Sequence, residues 1–370
     1  MEPDGPFDVA IVGGGPAGAC AALHLARRGR RVLLVDRAAY PRRDASSGWL
    51  NARAVPMLQA LDVRLDPLLT RPFQDVTFHS ADLTRSAKPV FQQPPGYVID
   101  RMALSNAIVE AARGAGAVVR CGTVVAPIQS LEHEVRVSFE DGTVSTARLL
   151  ILAAGRGTGL LAGLGMPQPN KGQPVVSGVV EHDESPGTPT RIDVVLGLDA
   201  EGGFALCAGG GPRAWVAIHW LGPPDEARTA LIELCGRLHD SGMASAALAG
   251  SAADAPLSLH PAAFALDMDT HVGKNALLVG DAGGFVAAAS FEGIYPATWS
   301  AQIAAEVVHE ALDHTNAQDT LMQFEPRWRH RMAGYLRVPH TDVHFLLPLV
   351  FSNRAMADRM GAAFFRGENL

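Results

Sequence analysis

Two kinds of apolar pattern follow one another along the chain. Near the start the runs are short and nearly unbroken, as in Val9 to Gly13 and Arg31 to Val35, which reads as strands buried on both faces. They flank a helix expected from Pro16 to Arg28. A polar loop then gives way to a short helix from Ala52 to Leu61, and short extended segments with turns follow up to Pro94 and Pro95. The next helix begins near Asp100, a suitable N-cap, and stops at Gly114 or Gly116. A strand, a meander turning at Asp141-Gly142, and a buried central strand from Leu149 to Ala153 come next. From Gln173 to His271 the runs VVSGVVEH, RIDVVLGLD, GGFALCAGG and RAWVAIHW predict a mostly antiparallel sheet, with a helix from Asp225 to Leu238. The strand Ala276 to Asp281, an alanine-rich helix from Pro296 to Leu312 and a helical segment over 317–370 complete the chain.

The first strand–helix–strand unit carries Gly13, Gly15 and Gly18 at G-x-G-x-x-G spacing, and its second strand leads into Asp36 about twenty residues on. Gly13 permits the tight turn, Gly15 lets backbone approach a diphosphate, and Gly18 lets the helix pack on the strand. With Pro16 and Ala17 opening the helix, its amides face the phosphates, and Asp36 is placed for ribose hydroxyls. A second glycine-rich segment, NALLVGDAGGFVAAASFEGIYPA from Asn275 to Ala297, lies far downstream. The two together indicate a flavoprotein.

Composition narrows the alternatives. A chain of 370 residues with 48% apolar and 19% charged residues has room for about two domains and a large core. The net charge of −7 argues against nucleic-acid binding. Cys20, Cys121, Cys207 and Cys235 are widely separated, without metal-ligand spacing, which fits a reducing cytoplasm and no bound metal. No apolar run reaches the length of a membrane span, and the greasy stretches Thr341 to Val350 and Met360 to Phe365 are expected to serve core or dimer packing.

The spacing of these features over roughly residues 8–312 resembles the FAD-dependent hydroxylase and reductase superfamily, which includes aromatic hydroxylases, flavin halogenases and geranylgeranyl reductases. The resemblance implies an α/β fold of the glutathione-reductase-like superfamily. In it a Rossmann-like FAD-binding domain (1–75, 97–170 and 272–316) is interleaved with a mostly antiparallel substrate domain (76–96 and 171–271), and 317–370 forms a C-terminal helical segment. It implies that Asp281 of the Gly280-Asp281 pair meets the ribityl chain, and that Gly283 and Gly284 let backbone approach the ring. It also implies cofactor contacts from Arg37, Gly48, Arg101, Val125, Ala154, Gly155, Gly293 and Ile294. The segment Phe291-Glu292-Gly293-Ile294-Tyr295 looks like the G-E-G-I-Y segment of geranylgeranyl reductases. The loop Val286 to Ser290 lacks the usual proline, however, and Ser46 and Ser47 stand where several prenyl reductases carry a cysteine. The W-x-W-x-I-P sequence of tryptophan halogenases is missing, and Lys88 is the one lysine to test for a halogenase role.

FAD then carries the redox chemistry while the chain supplies position and exclusion of water. The substrate space is expected between the flavin and the sheet from Gln173 to Trp220, with Trp49, Phe204, Trp215, Trp220, Phe285 and Phe291 lining it for a hydrophobic or aromatic small molecule. Catalytic residues are not identified, and the scattered His219, His260 and His271 read as structural or surface groups. Reduction of a C=C bond in a hydrophobic substrate is the first expectation, with hydroxylation by a flavin-dependent monooxygenase the alternative and a flavin-binding protein without turnover the third. Electrons are expected from NAD(P)H bound transiently, since the chain has no second dinucleotide fingerprint, or from a separate reductase.

Overall fold

The computed structural model describes residues 6–41, 48–123, 125–155, 159–166, 173–183, 190–209, 213–262, 264–337 and 343–368. In chain order the N-terminal half contains β1 (Phe7–Val12), α1 (Pro16–Ala26), β2 (Val32–Asp36), β3 (Trp49–Asn51), α2 (Ala54–Gln59), β4 (Pro72–Phe73), β5 (Asp75–Ser80), β6 (Ser86–Ala87), β7 (Gly96–Val98), α3 (Arg101–Gly114), β8 (Val118–Cys121), β9 (Val125–Ser130), β10 (Val135–Phe139), β11 (Val144–Leu152) and α4 (Leu160–Gly163). There follow β12 (Gln173–Asp183), β13 (Arg191–Leu196), β14 (Phe204–Gly209), β15 (Arg213–Trp220), α5 (Ala227–Asp240), α6 (Ala246–Gly250), β16 (Leu257–Ala262), β17 (Val272–Gly273) and β18 (Ala276–Leu278). The last part is helical, with α7 (Ile294–Ala311), α8 (Ala317–Leu321), α9 (Phe324–Leu336), α10 (Val343–Ser352) and α11 (Arg354–Arg366).

Among the described residues these strands form three sheets. The first has the order β17-β18-β11-β1-β2-β8, and β10 and β9 branch from the near half of β11. Its four central pairings are parallel, with Ile11 opposite Ile151 on one side and Leu34 on the other. Strands covered on both faces bury nearly every side chain, Asp8 of β1 aside, which is why the runs from Val9 in β1 and through β2 and β18 are unbroken. The helix α3 starts where the sequence places it, because the Asp100 side chain accepts the Ala103 N–H at 3.1 Å.

The second sheet runs β16-β12-β15-β14-β13-β5-β6. It is antiparallel except where β5 joins β13 in parallel, Thr77 opposite Asp193. One face packs on α5 and α6 through Val195, Cys207, Val216 and Ile218. The other packs on the C-terminal helices, where Val350, Met360, Phe364 and Phe365 join Phe78, Phe204 and Trp215 in one cluster. The stretch from Met360 to Phe365 is thus core, whereas Phe345 and Leu349 on α10 remain exposed. A small third sheet, β3-β7-β4, stands between the two.

The expected strand from Ala276 to Asp281 is shorter than its apolar run suggests. It stops at Leu278, and Gly280–Gly283 forms a 3-10 turn, since Gly280 takes the left-handed φ of +58° that a strand cannot continue through. No described helix is long and apolar enough to cross a membrane.

Candidate functional site

Four parallel strands end side by side. β1 runs into Gly13, β2 ends at Asp36, β11 is followed by Ala153, Ala154 and Gly155, and β18 leads to Gly280. Backbone bonds knit these ends together: Gly13 N–H to Val35 O at 2.8 Å, Ala153 N–H to Val12 O at 2.8 Å, and Val279 N–H to Leu152 O at 3.1 Å. Such a crevice at the carboxyl ends of a parallel sheet is where doubly wound folds bind nucleotides.

Gly13 has φ +106°, and a Cβ there would stand 2.2 Å from the Ala153 carbonyl oxygen, so no side chain fits. α1 opens with Gly15 as an extended N-cap and Pro16 behind it, without a side-chain cap or an acidic residue in its first turn. Its first amides and the positive end of its dipole are left for an anion. Asp36 is buried, and its carboxylate accepts Gly14 N–H at 2.6 Å and Ala38 N–H at 2.8 Å. About two of the roughly four acceptor positions of a carboxylate are used, which leaves capacity for two hydroxyls. Tyr40 donates its hydroxyl to the Gly14 carbonyl and sits 3.5 Å from Asp36 Oδ2. Tyr40 is not among the residues that the glycine motif singles out, and its place four positions beyond Asp36 is the signal that marks it. Arg37 is exposed beside this turn, Val125 is half-buried at the start of β9, and Gly155 opens onto free space at φ +76°. Ser46, Ser47 and the segment 156–158 lie outside the described residues. The residues present fit a dinucleotide: an uncapped helix end, a turn with no room for Cβ, and a carboxylate with acceptor capacity to spare.

The second glycine segment reaches the same place. A Cβ on Gly280 would lie 2.6 Å from the Ala17 Cβ, so the two motifs touch. Behind the contact α7 packs on α1, with Gly280 N–H donating to Ser300 Oγ at 3.1 Å and the Cys20 thiol, pushed up to about 12 by burial, 4.0 Å from Thr298 Oγ1. Asp281 lies in the turn, its Oδ1 3.1 Å from where a Cβ on Gly293 would stand. Gly284, at φ +66°, closes the turn. The turn is backed by His271, fully buried, whose Nε2 donates to the Gly283 carbonyl at 2.8 Å and whose Nδ1 lies 3.0 Å from Glu325 Oε1. Phe285 packs on this imidazole together with Phe324 and Trp328. It therefore points away from the sheet, contrary to its expected place in a substrate space.

The loop before α7 faces the second sheet. Phe291 adopts φ +52°, unusual for a bulky side chain, and its ring stacks on the His219 imidazole at 5.2 Å and 11°. Phe204 and Phe264 flank it, each 5.7 Å away. Ser177 Oγ, opposite on β12, lies 3.1 Å from His219 Nδ1 and fixes that ring. Trp215 shares this face of β15, its indole nitrogen 2.8 Å from the position of a Cβ on Gly48. Trp49 packs edge-on against Phe73 and Phe365. Trp220 does not join them. It belongs to the cluster on the α5 side and donates its indole N–H to the Pro223 carbonyl at 2.9 Å. It lies five positions beyond Trp215, and an odd interval puts strand residues on opposite faces.

Arg101 is half-buried at the first turn of α3, and its charge acts on Glu292. The Glu292 carboxyl is pushed up to about 7 by burial, against the opposing pull of the Tyr295 and Ile294 amides, the Tyr335 hydroxyl and Arg101. Lys88 is exposed and pairs with Asp75 at 3.3 Å on the surface. No cluster of three or more metal-ligating groups occurs among the described residues.

The comparisons agree with this geometry. A menaquinone reductase of Mycobacterium tuberculosis is 32% identical over 160 residues, 42% of this chain and 39% of the relative, so the match spans about two-fifths of that relative's length. Among solved structures, a geranylgeranyl bacteriochlorophyll reductase-like protein of Thermoplasma acidophilum superposes with a TM-score of 0.73 at 18% identity, covering 88% of this chain and 84% of that one. Pseudomonas aeruginosa PqsL, described as a probable FAD-dependent monooxygenase and solved with 2-aminobenzoylacetate, gives 0.70 at 20% identity over 96% of this chain and 100% of that one. At such identities the structural likeness is one of fold. The family model for an FAD binding domain matches residues 6–242, and the chain belongs to this superfamily of FAD-dependent oxidoreductases and monooxygenases.

Proposed function

We propose that this flavoprotein is a monooxygenase that hydroxylates an aromatic or hydrophobic small molecule. The observation that carries the reading is the flat His219–Phe291 pair beside Phe204 and Phe264, a shelf of parallel and tilted rings that includes the loop between the Asp281 turn and α7. Such a shelf suits a planar ring better than a long flexible chain. The aromatic ligand of PqsL supports the same substrate class. The expectation of a C=C reductase, placed first on the strength of one loop motif, becomes the second reading.

In this proposal Gly13, Gly15, Pro16, Ala17 and Gly18 carry the diphosphate of FAD, with Asp36 on the ribose and Asp281 on the ribityl chain. Arg37, Gly48, Arg101, Val125, Ala154, Gly155, Gly280, Gly284, Gly293 and Ile294 complete the contacts. When bound, FAD supplies two-electron transfer and the activation of dioxygen. The chain's own residues orient the substrate on the shelf and exclude water through Phe364 and Phe204, whose rings meet edge-on at 5.3 Å. One oxygen atom enters the substrate, the other leaves as water, and NAD(P)H or a separate reductase supplies the two electrons.

A reductase reading is favoured by one specific observation, the segment Phe291 to Tyr295 with its buried carboxyl at Glu292. The two are separated by reducing the holoprotein under nitrogen and mixing it with heavy-isotope dioxygen in the presence of phenol, aniline, indole or menaquinone. Heavy oxygen in an aromatic product supports the monooxygenase. Oxygen-independent loss of a menaquinone C=C bond, without oxygen incorporation, replaces it with the reductase.

A further inference from the structure

Glu292 stands where four parts of the chain meet. Its Oε1 accepts Tyr295 N–H at 2.8 Å, at the start of α7, and its Oε2 lies 2.9 Å from the Tyr335 hydroxyl on α9. Asn51 on β3 donates from Nδ2 to that same hydroxyl at 3.1 Å and to the Phe365 carbonyl on α11 at 3.0 Å. One polar chain thus runs Tyr295–Glu292–Tyr335–Asn51–Phe365 through apolar surroundings, with Glu292 4% and Asn51 1% exposed. The end of α11 is seated on it directly, since a Cβ on Gly367 would meet the Tyr335 ring at 2.3 Å. Phe291, the residue before Glu292, carries the ring stacked on His219.

We propose that Glu292 is a positioning residue whose proton holds the C-terminal cap, α11, closed over the aromatic shelf, where Phe364 meets Phe204, and whose loss of that proton favours opening. The charged group acting on the carboxyl is Arg101 from α3, and the phenols beside it are Tyr335, which it bonds, and Tyr295; Arg53 lies beyond them, its guanidinium 5.9 Å from the Tyr335 ring, and Asp281 lies against Gly293 next in the chain. Both phenols are pushed up, so they stay protonated near neutrality. Burial outweighs the favourable neighbours, and the closed carboxyl titrates near 7 where a wetted one titrates near 4.5. The closed form therefore binds the proton more tightly than any form that exposes Glu292, and rising pH favours opening. The 2.9 Å contact with Tyr335 survives in the neutral acid, because either oxygen can supply the proton. The gap between the two values limits the effect to about 300-fold, and about tenfold of it falls between about pH 6 and about pH 8.5.

Hydrogen exchange of α11, corrected for the intrinsic rate at each pH, tests this in apoprotein and FAD-loaded protein alike. Wild type is expected to exchange about tenfold faster in this helix at about pH 8.5 than at about pH 6. Glu292→Gln, neutral throughout, is expected to be flat, and Tyr335→Phe to exchange faster at both values. The same pH dependence in Glu292→Gln as in wild type, or none in wild type, overturns the proposal. Urea unfolding confirms that each variant is folded. The relevance of the cap to catalysis rests on the crevice being the FAD site, and flavin absorbance of the same samples reports that separately: an empty crevice would leave the exchange result standing.

Discussion

The imidazole of His219 and the ring of Phe291 lie 5.2 Å apart and within 11° of parallel, although they are 72 positions apart in the chain. Phe291 reaches this place at φ +52°, a conformation that costs a bulky residue on the order of 1–3 kcal/mol. The ring contact and the packing of the loop offset that cost. Replacing Phe291 with Ala removes an aromatic pair worth about 0.5–1.5 kcal/mol. The expected outcome is a KM for an aromatic substrate about 2- to 10-fold higher, with flavin content unchanged. Steady-state kinetics on holoprotein check this, and an unchanged KM would take Phe291 out of the substrate shelf.

Asp281 offers a carboxylate in the turn against Gly293, beside the contact between the two glycine motifs. Asp281→Ala is expected to lower FAD affinity by about 10- to 100-fold, the loss of about 1.5–3 kcal/mol for hydrogen bonds to a charged group. Global stability of the apoprotein should move far less, because the turn keeps its backbone bonds from Phe285 N–H to Gly280 O and Gly284 N–H to Asp281 O. Equilibrium dialysis against FAD decides it: full occupancy in the variant at limiting FAD would sink the assignment.

The parts of this site that the sequence makes legible are those fixed by local backbone chemistry. Gly13 at φ +106°, the N-cap at Asp100 and the turn at Gly142 each follow from a residue acting within a few positions of itself. What stayed hidden depends on distant partners. The pairing of β5 with β13 joins residues more than a hundred positions apart, and the bond from Tyr335 to Glu292 spans 43 positions. Trp220 was misplaced although strand parity relative to Trp215 already separates them. Phe285 was misplaced because nothing local shows that Gly284 turns the chain toward His271 rather than toward the sheet.

Gly280 makes the join between the two motifs sensitive to one carbon atom. In Gly280→Ala the new methyl would stand 2.6 Å from the Ala17 Cβ at a φ of +58°, so crowding and backbone strain act together. A loss of about 2 kcal/mol or more is expected, together with weaker FAD retention, because α1 must shift to relieve the contact. Urea unfolding of apoprotein measures the first and flavin absorbance after gel filtration the second. A variant as stable as wild type would mean that the two motifs do not pack as tightly as described.

His24 on α1 gives the fold an acid limit with a definite sign. Burial, with the nearby Arg28 and Arg27, pushes its imidazole down to about 4 from the ordinary 6.5. The unfolded chain therefore takes up a proton near 6.5 that the folded chain refuses until about 4. The contribution is fully present above 6.5 and is lost as pH falls through this window, amounting to about 2 kcal/mol between about pH 7 and about pH 5. Its neighbour Arg28 donates to the His24 carbonyl at 3.2 Å, a bond that any side chain at position 24 retains. His24→Gln, which cannot titrate, should lose about 2 kcal/mol less than wild type over the same interval. Parallel urea unfolding of both proteins at the two pH values measures the difference directly, and equal acid sensitivity would place the fold's proton uptake elsewhere.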